Sequence, residues 1–132
     1  MKKILLVLVA MLTMVFTGCK IENSTITVAV EDTAGTPVSG QYVFYADYAS
    51  IIVDAVLPSP DELISGVEDY WEYEKTNAQG VATITIPMAV SKMKYRFMVY
   101  DAGSSSDPWK YKDVEVHRGV NDEVKLVISS SK

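Results

Sequence analysis

Thr25-Ile26-Thr27-Val28-Ala29-Val30 and Val81-Ala82-Thr83-Ile84-Thr85-Ile86 carry the pattern that decides the fold of this 132-residue chain. In each, aliphatic side chains fall on every second residue, with small or hydroxylated ones between them. Successive side chains of an extended chain point to opposite faces, so each segment has one apolar and one polar side, as a half-buried strand requires. Branching at Cβ in Val, Ile and Thr suits the same conformation.

Outward from these two segments the rhythm recurs. Gln41-Tyr42-Val43-Phe44-Tyr45 is apolar on both faces, as in a mid-sheet strand. Tyr95, Phe97 and Val99 alternate with Arg96, Met98 and Tyr100. Trp109 to Val116 places Val114 and Val116 inward, and Val124 to Ile128 does the same for Val124, Leu126 and Ile128. Pro87 is expected to stop the strand before it. Glu31 to Pro37 and Asn77 to Gly80 supply glycine beside Asp or Asn, the chemistry of tight turns. Residues 103–108 form a longer Ser-rich loop and residues 117–122 another turn. About seven such strands imply an all-β fold, an antiparallel two-sheet sandwich of the immunoglobulin-like kind. Ile26, Val28, Val30, Ile84, Ile86, Phe97, Val99, Leu126 and Ile128 are its expected interior.

Residues 49–70 break the rhythm. Ser59-Pro60-Asp61-Glu62 combines a Ser cap, Pro at the first helical position and Glu three residues after the cap, which is a capping box. Leu63, Ile64 and Val67 give the short helix an apolar side, Gly66 ends it, and it is expected to lie across one end or edge of the sandwich.

The chain begins Met1-Lys2-Lys3, followed by an apolar run from Ile4 to Phe16 and then Thr17-Gly18-Cys19. This is the layout of a secretory signal, and the run is shorter than the ~20 residues that span a bilayer. Cys19 is the one cysteine, so no intramolecular disulfide forms. Thr17-Gly18-Cys19 resembles a bacterial lipobox, although Phe16 replaces its usual aliphatic residue. The resemblance implies cleavage after Gly18 and lipid on Cys19, and a diacylglyceryl group would attach the chain firmly to a membrane. The expected organisation is a signal peptide over 1–18, a lipidated tether over 19–23 and one domain over 24–129. Loss of Lys2 and Lys3 takes the formal charge from −5 to −7. So acidic a protein repels phosphate backbones, which argues against nucleic acid as a partner.

Two phrases resemble transthyretin-like modules, also called carboxypeptidase-regulatory-like or collagen-adhesin B-type domains. Thr27 to Val43 holds a strand ending in Asp32, the turn Gly35-Thr36-Pro37, and a second strand after a small residue. Thr76-Asn77-Ala78-Gln79-Gly80 is similar to their Thr-Asp/Asn-x-x-Gly turn, and Tyr95–Tyr100 with Tyr111–Val116 to their closing strands. Strand Thr25–Val30 lacks the lysine from which some relatives make an isopeptide crosslink. The related ureide hydrolases need several histidines and a Tyr-Arg-Gly-Ser ending, and this chain has one histidine and ends Ser129-Ser130-Ser131-Lys132.

Little else points to catalysis. His117 lies in a turn and no serine occupies a nucleophile elbow, so the chain is read as a non-enzyme without cofactor. A zinc site needs three or four ligands that one histidine and a lipidated cysteine do not supply. Asp54, Asp61, Glu62, Glu68 and Asp69 are weak candidates for a hard cation or a hydrolytic carboxylate pair, without calcium-loop spacing. Asp61 and Glu62 already have a capping role. Tyr70, Trp71, Tyr73, Trp109 and Tyr111 are the candidate contact residues, since Tyr and Trp join an apolar face to a polar tip. Trp71 and Trp109 are read as filling the core in preference to making contacts. The expectation is a lipid-anchored binding or adhesion module that contacts an envelope or host protein or glycan through 49–74 and 103–110. Its place is the bacterial outer membrane, on either face. The alternatives are an accessory subunit of an envelope complex that pairs a strand edge with a partner, and a hydrolase built on the acidic insertion.

Overall fold

The computed structural model describes residues 21–51, 59–65, 71–104, 106 and 108–129. The described residues form eight strands and one α-helix: β1 (Glu22–Asp32), β2 (Tyr42–Asp47), α1 (Pro60–Ile64), β3 (Glu72–Lys75), β4 (Val81–Met88), β5 (Lys92–Tyr100), β6 (Trp109–His117), β7 (Gly119–Val120) and β8 (Val124–Ile128). A 3-10 turn, Tyr48–Ser50, follows β2. The proposed lipidation site Cys19 and the signal segment lie outside the described residues, as do Asp54, Glu68, Asp69 and Tyr70.

The strands form two sheets. In sheet one, β1 lies between β4 on one side and β7 and β8 on the other; sheet two has the order β3-β2-β5-β6. The all-β sandwich read from the sequence is what folds. Its strands are not all antiparallel, however: β7 and β8 run parallel to β1, with Val28 opposite Val124 and Asp32 opposite Ile128. The parallel pairing follows from the topology, because β8 enters sheet one beside β1 after the chain has passed through sheet two. Two further strands escaped the alternation, β3 in the exit of the insertion and β7 in a turn. β1 begins at Glu22, inside the expected tether, because Glu22 and Asn23 pair with Met88 and Pro87. Pro87 does not end β4, which continues to Met88. β4 is an edge strand with one neighbour, and edges tolerate a residue without an N–H.

The interior is the expected one. Ile26, Val28, Val30, Ile84, Ile86, Phe97, Val99, Leu126 and Ile128 are all buried in one cluster between the sheets. The two turn phrases meet at one end of it. Thr76 Oγ1 donates to the Val38 carbonyl (2.7 Å) and accepts from the Gln41 amide (2.9 Å). Gly80 has φ +74°, and its carbonyl accepts from Val30 N at 2.8 Å. A Cβ added there would lie 2.8 Å from Pro37 Cβ and 2.9 Å from Val30 O, so this turn requires glycine twice over.

A second apolar cluster goes beyond what the alternation predicts. Phe44, Ala46, Leu63, Trp71 and Met98 are buried on the opposite face of sheet two, so this sheet is covered on both sides. Among the described residues the cover comes from Leu63 of α1 and from Trp71, just before β3. α1 has the expected capping box, with Ser59 and Glu62 bonding each other's backbone amides. It lies on the outer face of the sheet rather than across an end or edge, because Leu63 needs an apolar surface and β2 and β5 offer Phe44 and Met98.

Candidate binding surface

Residues opposite one another in a sheet share a face. Val43, Tyr45, Phe97 and Val99 point into the sandwich, so Phe44, Met98 and their cross-strand neighbours Tyr73 and Tyr111 point outward. The outer face of sheet two therefore carries an aromatic sheet surface from edge to edge. At the β3 edge Tyr73 packs against Tyr42 (centroids 5.6 Å apart) and Phe44 (6.0 Å), and Lys75 Nζ lies 5.2 Å from the Tyr42 ring. Trp109 packs edge-on against Phe44 (5.7 Å) and Tyr100 (5.1 Å).

Toward β6, Arg96 holds Asp113 through a bidentate pair, Nε to Oδ1 at 2.7 Å and Nη2 to Oδ2 at 3.0 Å. The guanidinium is also stacked 4.1 Å from Tyr111 and 5.4 Å from Tyr48. Its residue is only 8% exposed, so the fork, the carboxylate and the two rings form a preorganised unit. Lys94 Nζ lies over the Tyr48 ring, 4.1 Å from its centroid.

The candidate aromatics separate on this face. Tyr73 is 41% and Tyr111 56% exposed, so both are available for contact. Trp109 is half-buried. Trp71 is 5% exposed and belongs to the second cluster, which makes it a core residue and not a contact. Asp61 and Glu62 remain in the first turn of α1. His117 is exposed at the end of β6, with Nδ1 3.2 Å from the Arg118 carbonyl oxygen. Among the described residues no three His, Cys, Asp or Glu side chains are grouped as metal ligands.

Openings lie where the sheet edges part. Between β2, β5 and β4 lies a cleft of about 320 Å³, lined by Tyr45, Asp47, Ser50, Glu72, Pro87 and Tyr95 among others. Burial, then the Glu72 carboxylate and its hydrogen bond, push the Tyr45 phenol well above its ordinary pKa. Burial and the nearby Asp47 and Glu72 raise that of Tyr95 too. Tyr45 thus donates to the Glu72 carboxylate, and neither Asp61 nor Glu62 lines the cleft. Between β6 and β8 lies a groove of about 330 Å³, lined by Trp109, Lys110, Tyr111, Lys112, Lys125, Leu126 and Val127.

Lys110 and Lys112 in that groove were not singled out from the sequence. They stand opposite Val99 and Phe97, so they occupy inward positions that continue the row of Val114 and Val116. Two ammonium groups cannot enter the core, and the sheets part there to leave them in water. The signal was present: if Val114 and Val116 face inward, so do Lys112 and Lys110.

Asp101 is buried for another reason. It is 1% exposed, and its carboxylate accepts from Ser129 N at 2.8 Å and Gly103 N at 3.0 Å. Burial works against its charge, but these bonds outweigh it and hold the carboxyl below its ordinary pKa. It joins the end of sheet one to the loop leading to β6.

No family model and no curated protein matches this sequence. Among solved structures, the fold is similar to part of the Bacillus anthracis TIE protein, with a TM-score of 0.53 and 13% identity over 83% of this chain and 17% of that one. Chlorocatechol 1,2-dioxygenase from Pseudomonas putida is similar at a TM-score of 0.49 and 10% identity, over 83% of this chain and 61% of the enzyme. The chain thus spans less than two thirds of either protein, and at such identities the likeness to the TIE protein is one of β-sandwich fold.

Proposed function

We propose that this protein is an exported, lipid-anchored binding or adhesion module of the bacterial cell envelope, without catalytic activity, built on a transthyretin-like sandwich. The observation that carries the reading is the convergence of two distant segments on one surface. The insertion supplies Leu63 and Trp71 to the outer cluster of sheet two, and Trp109, at the end of loop 103–110, packs on the same cluster. Beside them stand exposed Tyr73 and Tyr111, backed by Arg96 and Lys75. Rigid aromatic side chains with cations alongside form a surface for sugar rings or protein side chains. Anchoring rests on Thr17-Gly18-Cys19, and the outer membrane is the proposed location.

The full lipoprotein in detergent, applied to glycan and envelope-protein arrays, is expected to retain a ligand that Tyr73→Ala/Tyr111→Ala releases about tenfold more readily, as for removal of interface anchors. No retained ligand, or retention indifferent to both tyrosines, overturns the reading. Protease shaving of intact cells then decides which membrane face presents the domain. Pull-down from membranes tests the other reading, that of an accessory subunit, which the edge of β6, without a neighbouring strand among the described residues, favours. A stoichiometric envelope partner would support it.

A further inference from the structure

We infer that copies of this chain join side by side, β3 of one against β6 of the next, so that sheet two continues from molecule to molecule. Among the described residues β3 and β6 are the two edges of this sheet. All three of its internal pairings are antiparallel, so β3 and β6 run in opposite directions. A second copy in the same orientation therefore presents its β3 antiparallel to the β6 of the first. No two-fold axis is needed.

The side chains fit this arrangement. Glu72 and Glu74 stand opposite Tyr45 and Val43, and so share the inner face. Lys110 and Lys112 share that face at the other edge. Setting Glu72 opposite Lys112 brings Glu74 opposite Lys110, Tyr73 opposite Tyr111, and Lys75 opposite Trp109. These are two ion pairs, an aromatic pair and a cation over an indole, all favourable kinds of cross-strand neighbour. A slip of one residue sets inner against outer faces, and a slip of two leaves one ion pair. Tyr73 and Tyr111, 41% and 56% exposed, are two of the six exposed large hydrophobic residues among the described ones, and each lies at one of these edges.

The same charges exclude the alternatives. Inward lysines on an edge strand repel an apolar strand, because pairing would bury an ammonium group. They admit a strand whose inner positions are carboxylates. β6 against β6 offers its lysines only Lys110, Lys112, Val114 and Val116, and β3 against β3 sets glutamate against glutamate. A contact between unlike edges leaves one of each kind free, so the assembly is open-ended. Four residue pairs make a weak contact, which confinement to a membrane plane would strengthen through effective concentration.

The test is sedimentation of the full chain in detergent over rising protein concentration. Mass is expected to grow with concentration at low salt and to fall back at high salt, as screened ion pairs require. Glu72→Lys/Glu74→Lys makes both edges basic, and Lys110→Glu/Lys112→Glu makes both acidic. Each alone should associate at least about tenfold more weakly, and an equimolar mixture should regain association because unlike edges are restored. Glu72→Gln/Glu74→Gln carries the loss-of-association test should the reversed variant fail to fold, as judged by circular dichroism. One constant mass at every concentration and salt, reversed variants that associate like the original, or a mixture that stays apart would each overturn the inference.

Discussion

Sheet two separates two apolar layers of different construction. The inner layer draws on both sheets, from Ile26 on β1 to Ile128 on β8, and closing it is what brings the sheets together. The outer layer is local: Phe44, Ala46 and Met98 from the sheet, Leu63 and Trp71 from the insertion, with Trp109 at its margin. The inner layer holds the fold, whereas the outer one holds a cover on a finished sheet. Contact surface and core can then change independently, since the residues proposed for contact are fixed by the outer layer.

The largest effect should come from the inner layer. Phe97 is fully buried, and Phe97→Ala is expected to cost about 3–5 kcal/mol, as for removal of a large core side chain. Against a domain stability of roughly 5–15 kcal/mol that approaches global unfolding. Chemical denaturation of the full chain measures it. A loss no greater than that of the outer-layer variant below would erase the distinction between the layers.

Leu63→Ala removes the 1%-exposed anchor of α1 and should cost about 3 kcal/mol in the outer layer. The sharper readout is where protection is lost. Amide exchange is expected to rise over residues 59–65 and on β3, while β1 and β4 stay protected, because the cover opens without the sandwich. Loss of protection in β1 and β4 as well would make the insertion part of one cooperative core.

Asp101 bridges the sheets at the end of β8, and its effect should depend on pH. Its folded-state carboxyl titrates below its unfolded value. Its contribution is therefore present above the unfolded pKa and declines as pH falls through the folded one. Asp101→Asn keeps the shape but offers one acceptor oxygen where Ser129 N and Gly103 N now use two, at a cost of about 2 kcal/mol near neutral pH. Melting curves at neutral and strongly acid pH should show the variant's deficit shrinking with acid. A deficit constant with pH would show that charge plays no part.

The same division governs what the sequence discloses. Sheet one leaves its outer face in water, so Thr25, Thr27, Thr83 and Thr85 alternate with aliphatic residues, and β1 and β4 are legible. On sheet two the alternation of Arg96 and Met98 with Phe97 and Val99 marks two faces without revealing that the outer one is covered. The cover comes from Leu63 and Trp71, which are remote from β5 in the chain. β3 is illegible for the opposite reason. Glu72-Tyr73-Glu74-Lys75 is exposed throughout, and it is a strand only because Tyr42–Tyr45 offers it an edge. Among the candidate contacts residue type alone could not decide, since Trp71 and Tyr111 are both large aromatics and only packing separates the buried from the exposed.

The smallest effect should come from the cap of α1. Ser59 Oγ accepts from Glu62 N at 3.4 Å, Glu62 Oε2 from Ser59 N at 3.3 Å, and both bonds are exposed to water. Ser59→Ala is therefore expected to cost about 0.5–1 kcal/mol, at the low end for cap removal. A helix of five residues is far too short to persist by its own hydrogen bonds. What keeps it folded is Leu63 pressed onto Phe44 and Met98, with the cap choosing where the turn begins. If Ser59→Ala matched Leu63→Ala in the loss of protection over residues 59–65, that order would reverse. The capping box would then hold the cover in place, and the outer layer would be a consequence of the helix rather than its cause.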